Sequence, residues 1–192
     1  RSSNVGTNID GLSISTLAYA DDIVLLADSD QDLQTLVNIC NNWCKKWGMF
    51  ANIKKCGSMT FGADPAASRG MTWGGIDIPK CDKYKYLGVI FDSQLNWGPH
   101  MSRITQTAKF RLGTYGQALE NWHVNMLLKA RLYEENIRSQ MEYGGAISWA
   151  FAAHKGPIKD KLSKLDKIQL SAMKKMTLMS HGWQEGLENE LG

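Results

Sequence analysis

Long hydrophobic runs are missing from this sequence. No uninterrupted apolar stretch exceeds five residues, Ile23–Ala27 among them, where a membrane-spanning helix needs roughly 20. The opening residues, RSSNVGTNID, hold no apolar h-region and no cleavage pattern, so no secretory signal is read there. They also lack an initiator Met, as expected of a processed or excised segment. Cysteine is scarce: Cys40, Cys44, Cys56 and Cys81 are the only four, and none forms the CxxC spacing of a zinc site. Cys40 and Cys44 share a helix face, while His100 and His123 lie far along the chain. The four therefore read as free, buried thiols of a reducing compartment.

What is present is a globular composition. With 192 residues, 43% of them hydrophobic and 21% charged, the chain can bury the core of one or two domains and does not read as disordered. The net charge of +3 is unevenly spread. Asp21, Asp22, Asp28, Asp30 and Asp32 crowd a segment with no Lys or Arg among them, and seven lysines lie between Lys155 and Lys175 against Asp160 and Asp166. An acidic segment paired with a basic helix suits a protein that holds cations at one place and a polyanion at another.

Hydrophobic periodicity divides the chain into an α+β half and a helical half. Gly11–Leu17 and Ile23–Ala27 predict two strands around the polar turn YADD, the first strand half-buried and the second fully buried. Ser29 or Asp30 is the N-cap of a helix of about five turns, with Leu33, Leu36, Val37, Cys40, Trp43, Cys44 and Trp47 on one face and Gly48 as its stop. A turn carrying Lys54 and Lys55 follows, then a short strand Ser58–Phe61, a loop Ala63–Gly75, and strands at Gly75–Pro79 and Tyr84–Phe91. Asn96–His100 punctuates the chain and marks the boundary between residues 1–98 and 99–192. Beyond it, Met101, Ile104, Ala108, Leu112, Tyr115 and Leu119 predict one helix and Val124–Met141 a second. Ile158, Leu162, Leu165, Ile168, Ala172, Met176 and Met179 predict a third, completing a small bundle.

The stretch that carries chemistry is LAYADDIVLLA, Leu17–Ala27. Two adjacent aspartates at a hairpin tip, anchored by an apolar strand, either make a solvated turn or present two hard oxygen ligands to a divalent cation. Pairs of such cations run phosphoryl transfer between nucleotides by bridging the attacking and leaving oxygens.

Tyr19-Ala20-Asp21-Asp22 followed by IVLLA resembles the catalytic hairpin of reverse transcriptases, in particular those of non-LTR (LINE-type) retroelements. The helix running into Gly48 and then Asn52-Ile53-Lys54-Lys55 is similar to the family's next motif, and Tyr86-Leu87-Gly88 to its primer-grip turn. The resemblance implies the C-terminal half of a palm over residues 1–98 and a helical thumb over 99–192. It implies Asp21 and Asp22 as catalytic ligands of Mg²⁺ or Mn²⁺ when the remaining palm is supplied. Lys55 then protonates the pyrophosphate leaving group, and Tyr86, Leu87 and Gly88 hold the primer 3′ end. Tyr19, Arg103, Lys109, Arg111, Lys164 and Lys167 meet an RNA/DNA template–primer duplex, largely through its backbone.

The family's metal site takes a further aspartate from an earlier palm strand, and its fingers bind the incoming nucleotide. Only eighteen residues precede Tyr19, with Asp10 their sole acid, at the far end of the hairpin's first strand. The expectation is a part of an RNA-directed DNA polymerase that does not polymerise alone. The alternatives are a domesticated, non-catalytic subunit whose partners cover the truncated palm edge, and a nucleic-acid-binding module. The location expected is intracellular: nuclear or cytoplasmic for a retroelement protein, an organelle for a repurposed one.

Overall fold

The computed structural model describes residues 5–62, 69–145 and 156–177, with side chains in the last segment from Ser163 onward. The chain forms two compact units, one of residues 1–84 with Ser93–Leu95, the other of Lys85–Asp92 with everything from Asn96. By compactness the Lys85–Asp92 segment groups with the helices.

The first unit begins with two separate ribbons. β1 (Thr7–Ile9) pairs with β2 (Leu12–Ile14), and β3 (Thr16–Tyr19) with β4 (Asp22–Leu25), all antiparallel. The single strand expected over Gly11–Leu17 is thus broken at Ser15, whose carbonyl accepts from the Leu26 amide at 2.9 Å. The break follows from Asp10-Gly11, where both residues take positive φ (51° and 82°) and close a tight hairpin of their own. Asp10 therefore sits at a ribbon tip, not at the start of the strand leading to Tyr19. The burial expected for the second ribbon is also corrected: all four residues of β3 are exposed, Ile23 is 40% exposed, and Val24 and Leu25 are only half-buried. No third strand joins β3 or β4 among the described residues, so each keeps an open edge.

α1 (Asp30–Lys46) forms as its ends dictate. The Ser29 hydroxyl accepts from the Asp32 amide at 3.1 Å, Asp30 and Asp32 occupy the first turn, and Lys45 and Lys46 the last. Gly48 at φ 67° lets the Met49 amide reach back to the Cys44 carbonyl (2.9 Å) and its own to Lys45 (3.3 Å), which closes the C-terminus in a Schellman motif. The buried stripe is narrower than the sequence indicates. Leu36, Val37 and Cys44 are buried, but Trp43 is largely exposed and Trp47, the C-cap, is 64% exposed.

A small core of Val37, Met71 and Ile78, with Leu25, Leu33, Cys56 and Trp73 against it, ties α1 to a third ribbon, β5 (Met71–Trp73) with β6 (Ile76–Ile78). The Gln34 amide brackets Thr72, donating to its carbonyl and accepting from its N–H, each at 2.8 Å. Residues 71–73, expected as loop, are strand because Gly74-Gly75 takes the paired positive φ of a tight hairpin. The expected strand Ser58–Phe61 reduces to one bridge, Ser58 to Lys80.

β7 (Lys83–Tyr86), which begins in the first unit, and β8 (Val89–Asp92) of the second form the fourth ribbon, where one strand over Tyr84–Phe91 was expected. α2 (Gly98–Glu120) starts inside the predicted punctuation. Pro99 suits a first helical turn, and Trp97 and His100 are buried parts of the core. The predicted stripe is the observed one: Met101, Ile104, Ala108, Leu112 and Leu119 are buried and Tyr115 packs against them. The second predicted helix is α3 (Met126–Tyr133), a π-helical turn (Glu134–Arg138) and α4 (Ser139–Glu142). α5 (Gly156–Thr177) packs along α2 through Leu165, Ile168 and Ala172, with Met176 half-buried. Met179 lies outside the described residues, as do the side chains of Ile158 and Leu162. The result is α+β, with ribbons and one helix in the first unit and helices dominating the second. Among the described residues no helix is long and apolar enough to cross a membrane.

Candidate functional site

The aspartate pair sits on a two-residue turn. Tyr19 and Asp22 face each other across the last rung of the β3–β4 ladder, leaving Ala20 and Asp21 as the loop. The expected four-residue turn is therefore tighter, with Asp22 already a strand residue and Asp21 at the tip. Ala20 takes φ 53°, a left-handed conformation uncommon outside Gly and characteristic of sites where geometry is held for a purpose. Both carboxylates are exposed, and so is the Tyr19 ring, at 66%. Two adjacent carboxylates are the donor chemistry that Mg²⁺ takes, and they fit a part of its coordination shell. No group of three or more His, Cys, Asp or Glu that could hold a metal occurs among the described residues.

Lys55 ends the 3₁₀ turn Ile53–Lys55 and is exposed. Its carbonyl accepts a 2.6 Å hydrogen bond from the Tyr84 hydroxyl. The Tyr84 ring lies over Gly57, where an added Cβ would come within 2.9 Å of it. Burial pushes the Tyr84 phenol up, and the Cys56 and Cys81 thiols and then the Asp22 carboxylate add to the shift. One hydroxyl thus holds the Lys55 turn while feeling the charge of Asp22. Tyr84 was not singled out from sequence; its signal is the alternation in KYKY, which places it on the half-buried side of β7. The four cysteines are free, as expected, with Cys44 buried and the other three half-buried. Burial raises Cys40, Cys56 and Cys81, so these thiols are not activated nucleophiles.

In the second unit Leu87 and Gly88 are the two central residues of the β7–β8 turn, with φ 44° and 83°. The Tyr143 hydroxyl donates to the Leu87 carbonyl and the Arg103 Nη1 to the Gly88 carbonyl, both at 2.5 Å. Beneath the turn His100 is fully buried. Its Nδ1 accepts from the Ile90 amide (3.4 Å), so Nε2 carries the proton and donates to the Tyr143 carbonyl (3.2 Å). Burial pushes this imidazole down from its usual value; the bond to Tyr143 opposes that shift and the Arg103 charge adds to it.

The structure places the remaining basic residues as follows. Arg103 and Arg111 are half-buried, and Arg111 Nη1 donates to the Asn136 carbonyl at 3.1 Å, cross-linking α2 to the π turn. Lys109 is exposed on α2, and Lys164 and Lys167 are exposed on α5. Lys129, unremarked in the sequence, is only 3% exposed and donates from Nζ to the Met176 carbonyl at 3.2 Å, near the end of α5.

Against this geometry stand the relationships to known proteins. Residues 3–91 match the family described as Reverse transcriptase (RNA-dependent DNA polymerase). The chain is 22% identical over 178 residues to the RNA-directed DNA polymerase from mobile element jockey of Drosophila melanogaster, covering 89% of this chain and 19% of that protein. The jockey polymerase of Drosophila funebris is 31% identical over 100 residues, 49% of this chain and 11% of the relative. The probable RNA-directed DNA polymerase from transposon BS of Drosophila melanogaster is 27% identical over 169 residues, 83% and 18% of the two chains. The chain spans less than a fifth of the length of these relatives. No solved structure matches it.

Proposed function

We propose, on the premise that this chain is a relative of the reverse transcriptases of LINE-type (non-LTR) mobile elements, that it is the catalytic-hairpin, primer-grip and thumb part of an RNA-directed DNA polymerase. The observation that carries the reading is the Asp21–Asp22 pair on a strained two-residue turn, with Tyr19 opposite Asp22.

In this reading Asp21 and Asp22 hold divalent cations, Mg²⁺ or Mn²⁺, whose chemistry is to activate the primer 3′-hydroxyl and neutralise the leaving phosphates. Two carboxylates fill only part of such a shell, so this reading takes a further carboxylate besides Asp21 and Asp22. Lys55, exposed on its 3₁₀ turn, donates the proton that the pyrophosphate takes as it leaves. The Tyr86–Gly88 turn holds the primer terminus. Lys109, Lys164 and Lys167 meet phosphates of the template–primer hybrid, and Tyr19 stands beside the terminal base pair.

The test is primer extension on an RNA template by the longest native polypeptide that carries these residues. Asp21→Asn and Asp22→Asn each lower extension by about a hundredfold or more, the scale of losing a transition-state charge contact, and leave hybrid binding in place. Extension unchanged by both substitutions would overturn the catalytic reading and leave a non-catalytic role.

A further inference from the structure

Both carbonyls of the β7–β8 turn are taken by side chains from the helical part of the same unit. Tyr143, just past α4, holds Leu87, and Arg103, on the second turn of α2, holds Gly88. The contact is close: a Cβ at Gly88 would meet the Tyr143 ring at 2.9 Å. The turn also needs holding, because Leu87 sits at φ 44°, which costs a side-chain-bearing residue about 1 kcal/mol or more. Such a conformation persists where its surroundings over-determine it. His100 fixes Tyr143 in turn, through the Tyr143 carbonyl, while its other nitrogen receives the Ile90 amide two residues beyond Gly88. Turn, strand, α2 and the end of α4 are thus joined by four hydrogen bonds through three side chains.

We infer that Arg103 and Tyr143 are positioning residues for the Leu87–Gly88 turn, a clamp through which the helices set the shape of the surface that receives a primer 3′ end. The inference rests on the primer-grip reading of this turn. It assigns Tyr143 a role that no feature of the sequence indicated. It also gives Arg103 a duty besides phosphate attraction, since Nη1 is committed to a carbonyl and the guanidinium charge is carried to within one hydrogen bond of the turn. With both carbonyls engaged, what the turn offers a ligand is its flanking side chains and that positive charge, which suits the terminal phosphodiester of a nucleic-acid strand.

The experiment measures binding of the longest native polypeptide that carries these residues to two RNA/DNA hybrids of equal length, one with a recessed DNA 3′ end and one blunt. The wild type prefers the recessed end. Tyr143→Phe, which deletes one hydroxyl, weakens recessed-end binding about fivefold, the scale of one hydrogen bond, and leaves blunt binding and the salt dependence unchanged. Arg103→Gln removes the charge held at the turn; it lowers recessed-end binding more than blunt binding and flattens the salt dependence. Gly88→Ala, which crowds the Tyr143 ring without removing its hydroxyl, reproduces the loss of preference. Equal loss on both hybrids for Tyr143→Phe, or a preference that survives both Tyr143→Phe and Gly88→Ala, would overturn the clamp while leaving the primer grip standing. A wild-type polypeptide with no preference would overturn the primer-grip reading itself, and the clamp with it.

Discussion

Tyr84 donates its hydroxyl to the carbonyl of Lys55 at 2.6 Å, and its ring covers Gly57 with no room for a methyl group between them. One tyrosine thereby fixes the backbone on both sides of Cys56 and holds the turn from which Lys55 projects.

Removing that hydroxyl has a defined cost. Tyr84→Phe destabilises the chain by about 1 kcal/mol, the net worth of one hydrogen bond, measured by denaturant unfolding. The pH dependence has a sign as well. The folded-state phenol is raised above its ordinary value of about 10, by burial first, so its stabilisation is fully present below about pH 10 and is lost as pH rises through the folded value. Unfolding between pH 9 and 11 therefore shows a decline in stability that is shallower in Tyr84→Phe.

His100 gives the opposite slope. Its imidazole is buried and held neutral, with a pKa lowered from 6.5 chiefly by burial. Stability from this group is full above about pH 6.5 and is lost as pH falls toward the folded value. Thermal melting between pH 7.5 and 5 shows a falling midpoint in the wild type. His100→Gln starts lower at pH 7.5, with its two hydrogen bonds disturbed, and loses part of the acid-side slope.

Lys129 is a buried cation whose partner is a carbonyl near the end of α5. A side-chain donor there ties α3 to α5 through a backbone carbonyl. Lys129→Ala costs about 2 kcal/mol from the lost charged hydrogen bond and stem packing. In a domain of this size that lowers the melting midpoint by about 4 to 8 °C. Lys129→Arg, a larger fork in a filled space, recovers only part of the loss.

The elements that were legible from sequence are those whose signals are local and redundant. α1 carries a Ser29 cap, acids first and bases last, and a glycine stop, each of which the fold uses. The α2 stripe recurs about once per turn along one face of the helix, so its burial follows from spacing. The ribbons were less legible because a strand's burial depends on what lies beside it. β3 and β4 have the alternation and apolar content of a buried pair, yet no neighbouring strand covers them among the described residues. Asp10-Gly11 and Gly74-Gly75 are strong hairpin dipeptides in their own right, and read that way they place β1–β2 and β5–β6. Asp21, Asp22 and Leu87-Gly88 were visible because turns announce themselves. Tyr84, Tyr143 and Lys129 were not, because each acts on a backbone carbonyl 29 to 56 residues away, and periodicity carries no information about such a partner.

Every strand described in this chain pairs with its neighbour in sequence, across a connection of two residues. Sheet formation therefore requires no distant loop closure. Each ribbon can zip from its own turn, a microsecond event for a hairpin, and none has to wait for a strand from elsewhere. The closures that cost chain entropy are those of α1 with β5 and of α2 with α5, the latter 35 residues apart between Glu120 and Gly156. Local pairing leaves the ribbons quick to form and individually marginal.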